Sequence, residues 1–277
     1  MMTRRRAEPV TIVAAGAVTP LGADLDGFWS GLVTGTDGIS MIERFPVDDL
    51  RVGRGGEIKK LKPMPPVGRA GCRATQLLLA AAQDLLARAP LAAAPERVAV
   101  VVGTALGGVE QLERAIAQKG RVRHAASAFY DSPAHGLARW LGARGPVLTV
   151  GTACAAGATA LGTGAELLHA GVVGAVIAGG YDRACRFVMR GFDALRSLTR
   201  ERIRPFDRRR SGLLLGEAAA LVLMTRDEGG GGPRLGRLLG YASASDGSHI
   251  SAPDPHGRGL EFAVCTALDE ARLSADS

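Results

Sequence analysis

The feature that most restricts the fold of this chain is an alternation of two kinds of segment. Short apolar runs rich in β-branched residues predict strands at 10–15, 97–102, 147–150, 173–178 and 218–224. Stretches rich in alanine and leucine predict helices at 24–34, 71–88, 106–119, 133–141, 155–170 and 258–272. Continuous apolar runs are typical of strands that are covered on both faces. The alternation therefore predicts an α/β fold with βαβ units and a mainly parallel sheet.

Two breaks interrupt this pattern. The basic, proline-rich segment 59–69 predicts a surface loop, and the glycine-rich segment 227–233 (DEGGGGP) predicts a linker. The sequence is thus divided into a first half at 1–226, the linker at 227–233, and the start of a second half at 234–277. The segment after the linker is too short to bury an independent core. One complete α/β layer system and a truncated second one are expected.

Charge and cysteine content narrow the class of protein. The formal net charge is +7, and 30 of the 34 basic residues are arginine, which favours an acidic partner. Aromatic residues make up 4% of the chain, which argues against binding of single-stranded nucleic acid by base stacking. Four cysteines without a CxxC pair predict a reduced, cytoplasmic protein.

Membrane insertion and secretion are also disfavoured by the sequence. No apolar run is long enough to predict a membrane-spanning helix. The N-terminal segment resembles a signal peptide, but Glu8 and Pro9 interrupt it and the apolar run is short. A buried first strand over Val10–Ala15 is the better interpretation.

The segment 145–182 is the most informative for chemistry. A predicted strand ends at Gly151, and a helix of small residues begins just after Cys154. Free N–H groups and the positive end of a helix dipole meet at such a turn. This environment favours a thiolate, and the same amides can bind an oxyanion. Cys154 is therefore a candidate nucleophile, although a buried, inert cysteine is an equally good interpretation of the pattern alone.

Several blocks in order along the chain resemble the beta-ketoacyl synthases, the condensing enzymes of fatty-acid and polyketide synthesis. The segment GTACAAG around Cys154 resembles the nucleophile region of that family. The other blocks are VTIVAAGAVTPLG (10–22), VVGTALGG (101–108), GFDALRSLT (191–199), RPFDRRRSGLLLGEAAALVLM (204–224) and DGSHISAPDPHGRG (246–259). The resemblance covers nearly the whole chain, and several ordered motifs are stronger support than any one of them.

The resemblance implies a thiolase-like, layered α/β/α/β/α fold whose first half is complete and whose second half is truncated. It implies that an acidic acyl carrier protein delivers acyl and malonyl thioesters, and that neither a metal nor an organic cofactor is needed. Carried over by position, Cys154 is the acyl-accepting nucleophile, and Leu106 and Phe192 face the acyl chain. Glu217 matches an acidic family position near the site, but a buried ion pair is the favoured role for it.

The departures from the family pattern concern the histidines. The family uses two histidines, one in an HGTGT-like motif and one beside a GFGG-like segment that also supplies the second oxyanion donor. Both would lie downstream of Ser277, and none of the five histidines present, at 124, 135, 169, 249 and 256, matches them. His249 matches a loop position with a structural role. GEAAA also replaces the usual GEGAG, and RRRSG stands where an acidic pair is frequent.

Two classes of function follow. One is a ketosynthase, either a piece of a longer chain or completed by another chain. The other is a catalytically incomplete fragment or a non-catalytic partner subunit, although the presence of Cys154 disfavours the type of partner in which that cysteine is replaced. A third, weaker alternative is another acyltransferase of the same fold. The resemblance also implies a homodimer or heterodimer that forms through strand 147–150.

Overall fold

A computed structural model describes residues 9–61, 64, 72–119, 127–226, 234–249 and 252–276. Six strands form one sheet in the order β5-β4-β6-β7-β1-β8. They are β1 (Val10–Val18), β4 (Val98–Gly103), β5 (Val147–Val150), β6 (Ala175–Asp182), β7 (Ala218–Arg226) and β8 (Gly236–Leu238). A separate pair is formed by β2 (Ser40–Met41) and β3 (Arg54–Gly55).

The helices lie between these strands, largely where the apolar periodicity predicts them. They are α1 (Leu25–Val33), α2 (Arg73–Arg88), α3 (Val109–Ala117), α4 (Ser132–Leu141), α5 (Ala156–His169), α6 (Arg186–Ala194) and α7 (Arg258–Ala271). The sequence analysis missed α6 and the short strand β8. All five predicted strands are present, each within a few residues of its predicted bounds.

The prediction of a mainly parallel sheet is wrong. β4 pairs in parallel with β5 and β6, but β7 lies antiparallel between β6 and β1, and β8 is antiparallel to β1. β7 follows β6 through the connection 183–217, which contains α6 and returns the chain antiparallel beside β6. A continuous apolar run indicates burial on both faces and carries no information about strand direction.

Helices cover both faces of the sheet. On one face α2 packs against β1 and β7, and its Leu77, Leu78, Ala81 and Leu85 are fully buried, as the helical spacing predicts. On the other face α5 packs against β4 and β6 and buries Ala160 and Leu168 against the valines of the sheet. Among the described residues the result is a helix–sheet–helix arrangement.

The segment after the predicted linker does not form a core of its own. Its strand β8 extends the main sheet by pairing with β1, and α7 has no buried residue. The linker itself, 227–233, and most of the predicted loop 59–69 lie outside the described residues. Within the described ranges, no helix combines the length and the hydropathy that crossing a membrane requires.

Candidate active site

The sequence-predicted nucleophile lies at one edge of the sheet, where three parallel strands end. In the register of these strands, Gly103 of β4 is opposite both Val150 of β5 and Gly180 of β6. The N–H of Thr104 also donates to the Val150 carbonyl (3.0 Å). Because the carboxyl ends of parallel strands meet at one edge, the loops that follow them lie side by side.

Cys154 lies in a tight turn between β5 and α5. The 3-10 turn Ala153–Ala155 runs directly into α5, and Ala153 has a positive φ of 50°. That conformation is strained for a residue with a side chain, and Cys154, which follows it, is exposed. No acceptor in the described part of the chain takes the Cys154 N–H. The predicted position just before a helix is confirmed, and the thiol is exposed rather than buried.

Glycines bring the start of α5 against the strand ends. A Cβ on Gly103 would lie 2.1 Å from the Ala156 carbonyl oxygen, and one on Gly180 would lie 3.3 Å from the Gly157 Cα. At Gly103 any side chain would collide with backbone, so that the helix would have to move away. These contacts determine where the Cys154 turn lies relative to β4 and β6.

The loop that carries Leu106 is held by a carboxylate that the sequence analysis missed. Asp182, the last residue of β6, accepts hydrogen bonds from the Thr104 hydroxyl (2.7 Å) and from the N–H groups of Ala105 (3.0 Å) and Leu106 (3.1 Å). Burial raises the pKa of Asp182, while these three donors oppose the rise. The sequence signal that could have identified Asp182 is an acidic residue at the end of a buried strand.

Tyr130 connects the Leu106 loop with the turn that leads to Cys154. Its hydroxyl donates to the Thr104 carbonyl (2.5 Å) and lies 3.1 Å from the Cβ position of Gly151. Its ring also packs against Gly107, whose φ of 55° favours glycine. Burial raises the pKa of Tyr130, and the nearby Asp182 carboxylate adds to the effect.

Phe192 lies in a different cluster. It is half-buried on α6 and packs against the cluster of Val52, Met189 and Leu198. It also lines an open groove of about 600 Å³ together with Glu113 and Phe187, and neither Leu106 nor Cys154 lines that groove. Glu113 accepts from the Phe187 N–H at the start of α6, and burial raises the pKa of Glu113. The structure thus brings Leu106 and Cys154 to one edge of the sheet but places Phe192 beside another groove.

Glu217 is a member of a buried ion pair, as the favoured interpretation predicts. Its carboxylate is 2.5 Å from the Arg73 guanidinium, and neither side chain is more than 8% exposed. Glu217 also accepts from the Ile58 N–H (3.0 Å), and Arg73 donates to the Ile58 carbonyl (2.7 Å). The pair therefore joins the start of β7, the start of α2 and segment 56–58.

The four described histidines have other surroundings. His135 is exposed and 3.2 Å from Asp131, and His169 is at the opposite end of α5 from Cys154. His249 Nδ1 accepts from the Ala252 N–H within its own loop (2.9 Å), in agreement with a structural role, and His256 is exposed. His124 lies outside the described residues.

We expect the four thiols to react with iodoacetamide at very different rates. Cys154 and Cys265 are exposed, whereas Cys72 and Cys185 are buried. Burial also raises the pKa of Cys72, and that of Cys185 to about 11, so their thiolate fractions are small at neutral pH. Modification of the two buried thiols should be slower by on the order of a hundredfold.

Cys265 is the informative comparison in this experiment, because it is exposed but lies inside α7 rather than at a helix N-terminus. Peptide mapping after limited labelling at pH 7 should show the greatest modification at Cys154 and the next greatest at Cys265. Equal rates at the two exposed cysteines would show that the turn does not activate Cys154.

Comparison with known proteins identifies the family. Residues 7–229 match the family model of the beta-ketoacyl synthase N-terminal domain. The chain is 32% identical to 3-oxoacyl-[acyl-carrier-protein] synthase 2 of Synechocystis sp., over 96% of this chain and 70% of the relative. It is 30% identical to the tetracenomycin polyketide synthase ketoacyl synthase alpha subunit of Streptomyces glaucescens, over 99% of this chain and 72% of the relative.

A solved structure supports the same assignment. The ketosynthase ApeO in complex with its chain length factor ApeC, from Xenorhabdus doucetiae, superimposes with a TM-score of 0.84 at 32% identity. The match covers 99% of this chain and 71% of that one, so the predicted thiolase-like, layered α/β fold is confirmed. The chain therefore belongs to the beta-ketoacyl synthase family, the condensing enzymes of fatty-acid and polyketide synthesis.

Proposed function

We propose that Cys154 is the nucleophile that accepts the acyl group in this chain. The observation that carries the proposal is an exposed thiol in a strained turn at the N-terminus of α5. The thiolate attacks the carbonyl carbon of an acyl thioester, the Cys154 N–H donates to the developing oxyanion, and the carrier thiolate leaves. The products are an acyl thioester on Cys154 and a free carrier thiol.

Leu106 and Phe192 are proposed to face the acyl chain. Leu106 supports this role by its position, since it is half-buried in the loop next to the Cys154 turn. Phe192 is apolar and borders an open groove, but that groove is separate from Leu106 and Cys154. Its role therefore rests on the family resemblance more than on its neighbours.

The second half-reaction is decarboxylative condensation. The malonyl thioester loses CO₂, and its carbanion attacks the acyl carbonyl on Cys154. The tetrahedral adduct then collapses to a 3-oxoacyl thioester and releases the Cys154 thiolate. Negative charge develops on the malonyl carbonyl and on the adduct, and both need positioned donors. Two of the described histidines have partners elsewhere: His135 lies 3.2 Å from Asp131, and His249 accepts from the Ala252 N–H.

We therefore expect the 277-residue chain to acylate Cys154 slowly and to form no 3-oxoacyl product alone. Losing one oxyanion donor costs about a hundredfold to a thousandfold in rate, and missing imidazoles cost about as much again. The test supplies an acyl donor and radiolabelled malonyl carrier protein, and measures both acyl-Cys154 and the condensation product. Efficient condensation by this chain alone would contradict the expectation and would implicate His249 or His256.

A catalytically incomplete fragment or a non-catalytic partner subunit is the alternative function. The observation that favours it is the surroundings of the histidines described above. The same assay singles out the non-catalytic partner subunit, which would show neither acyl-Cys154 nor product, whereas an acyl-accepting chain shows at least the first.

An acidic acyl carrier protein is the partner we propose. The exposed segment 200–210 carries six arginines and only two acidic residues, Glu201 and Asp207. The arginines are Arg200, Arg202, Arg204, Arg208, Arg209 and Arg210. Phe206 stands at the centre of this segment and is fully exposed, which adds an apolar contact to the charge. Such a surface suits an acidic protein and should bind it less tightly as salt rises.

We also propose a dimer, homomeric or heteromeric, that forms through β5. This strand is at the end of the sheet order, pairs only with β4 among the described strands, and exposes Leu148. An unpaired, apolar edge is a site for pairing with a second chain. Light scattering at micromolar concentration should therefore give twice the chain mass. A Leu148→Lys variant should weaken the assembly, and a stable wild-type monomer would contradict a homodimer through β5.

The domain division and the location in the cell are further parts of the proposal. We assign 1–226 to the first half, 227–233 to the linker and 234–277 to the start of the second half. The match of the N-terminal family model to residues 7–229 supports this boundary. All four cysteines are free thiols, a state that supports a reducing, cytoplasmic environment.

A further inference from the structure

The Asp182 carboxylate binds neutral hydrogen-bond donors, although the protein is rich in arginine. It takes part in none of the ion pairs formed among the described residues, although Arg183 follows it directly. Arg183 instead pairs with Glu110 (2.9 Å). Among the described residues, the donors that reach Asp182 come from one short segment: the Thr104 hydroxyl and the N–H groups of Ala105 and Leu106.

The same strand end also touches the helix that carries Cys154. Gly180, two residues before Asp182, lies against Gly157 of α5, where an added Cβ would be 3.3 Å from the Gly157 Cα. Through β6, Asp182 is therefore fixed relative to the Cys154 turn, and through its carboxylate it holds the Leu106 loop. Leu106 itself is half-buried in this loop.

A second link makes the loop and the turn one unit. The Thr104 hydroxyl accepts from the Leu106 N–H (3.1 Å) and the Gly107 N–H (2.9 Å) while donating to Asp182. The Tyr130 hydroxyl donates to the Thr104 carbonyl and also lies near Gly151, where an added Cβ would be 3.1 Å from it. Removing the Asp182 carboxylate would leave the Thr104 hydroxyl and the Ala105 N–H without this acceptor, and the Leu106 N–H with only the Thr104 hydroxyl, which favours a rearranged loop.

We infer that Asp182 is a positioning residue that sets the acyl-chain preference of the Cys154 site by fixing Leu106. The inference rests on the proposed function, in which an acyl chain lies beside Leu106. Asp182 touches neither the thiol nor the chain, so it acts on the length of chain accepted rather than on the chemistry of the thiol.

The test compares two alkylating probes, iodoacetamide and N-octyl iodoacetamide, on the full 277-residue chain. Both react at Cys154 by the same displacement of iodide, and they differ only in the apolar chain. In the wild type the octyl probe should react faster relative to the short probe. In Asp182→Ala that rate ratio should fall by about tenfold, as expected for lost interactions of this size, with the short probe changed less than twofold.

Two further variants make the result specific. Leu106→Ala should lower the ratio by a similar factor, and the double variant Asp182→Ala/Leu106→Ala should lower it no further, because both act through one side chain. Asp182→Asn keeps one acceptor oxygen and should give an intermediate rate ratio. It serves as the test variant if Asp182→Ala does not fold. Asp84→Ala is the matched control: this carboxylate also accepts two backbone N–H groups, from Ala17 and Leu25, and should leave the ratio unchanged.

The inference would be overturned by an unchanged rate ratio in folded Asp182→Ala. If the alanine variant does not fold, an unchanged ratio in Asp182→Asn has the same meaning. Additive effects in the double variant would also overturn it. The alkylation rates of the two probes do not depend on acyl transfer. A wild-type chain that alkylates normally but is not acylated by thioesters would instead contradict the proposed function alone.

Discussion

Replacing Cys154 with alanine is expected to abolish acylation of the chain, with a loss of about a thousandfold or more in rate. The reason is that the proposed reaction needs a thiolate at the start of α5, and alanine offers no nucleophile there. Cys154→Ser should be almost as inactive, because a hydroxyl needs a general base and no described histidine is paired with position 154. Intact-mass measurement after incubation with an acyl thioester gives the acylated fraction directly.

Cys265→Ala is the matched control for this experiment. Cys265 is the other exposed thiol, but it lies within α7 rather than at a helix N-terminus. Its removal should leave acylation unchanged, and peptide mapping of the wild type should place the acyl group on Cys154. An acyl group that maps to Cys265, or persists in Cys154→Ala, would remove Cys154 from the proposed mechanism.

Removing one member of the Arg73–Glu217 pair is expected to lower the free energy of unfolding by about 3–5 kcal/mol. Glu217→Ala leaves the Arg73 guanidinium buried at 8% exposure without its carboxylate. It also leaves the Ile58 N–H without its acceptor. The cost is therefore the desolvation of an unpaired charge together with a lost hydrogen bond. Urea unfolding followed by circular dichroism measures it.

Two controls separate the buried charge from loss of side-chain volume. In Arg73→Met/Glu217→Leu both charges are absent and the volume is largely kept, so this double variant should be more stable than Glu217→Ala. Glu201→Ala breaks an exposed pair with Arg204 and should cost less than about 1 kcal/mol. A Glu217→Ala protein as stable as the wild type would mean that water or another group replaces the carboxylate.

Most of the local structure could be predicted from the sequence. Strands such as Val98–Gly103 are continuous apolar runs, and the buried face of α2 follows its leucine spacing. The position of Cys154 could also be predicted, because a strand end, a small turn and a helix start are consecutive in the chain. In each case the interactions that decide the structure act between residues a few positions apart.

The short helix α6 shows where this local reasoning ends. Only Met189 of its nine residues is buried, and Glu113 from another helix accepts the hydrogen bond at its N-terminus. A helix of nine residues is marginal by itself, so its stability comes from partners outside the segment. The same holds for Phe192, whose neighbours depend on how α6 packs.

Tertiary structure alone decided the direction of β7, the Asp182 contacts and the partner of Glu217 in its buried ion pair. Asp182 and the Thr104 hydroxyl are 78 positions apart in the chain, and Arg73 and Glu217 are 144 apart. Nothing in the residues near Asp182 specifies which loop its carboxylate will meet. Hydrophobic burial is non-directional, so an apolar run determines that a strand is covered but not how it is oriented or what lies beside its end. Those outcomes depend on how the whole sheet assembles, because only then do the strand ends and loops become neighbours.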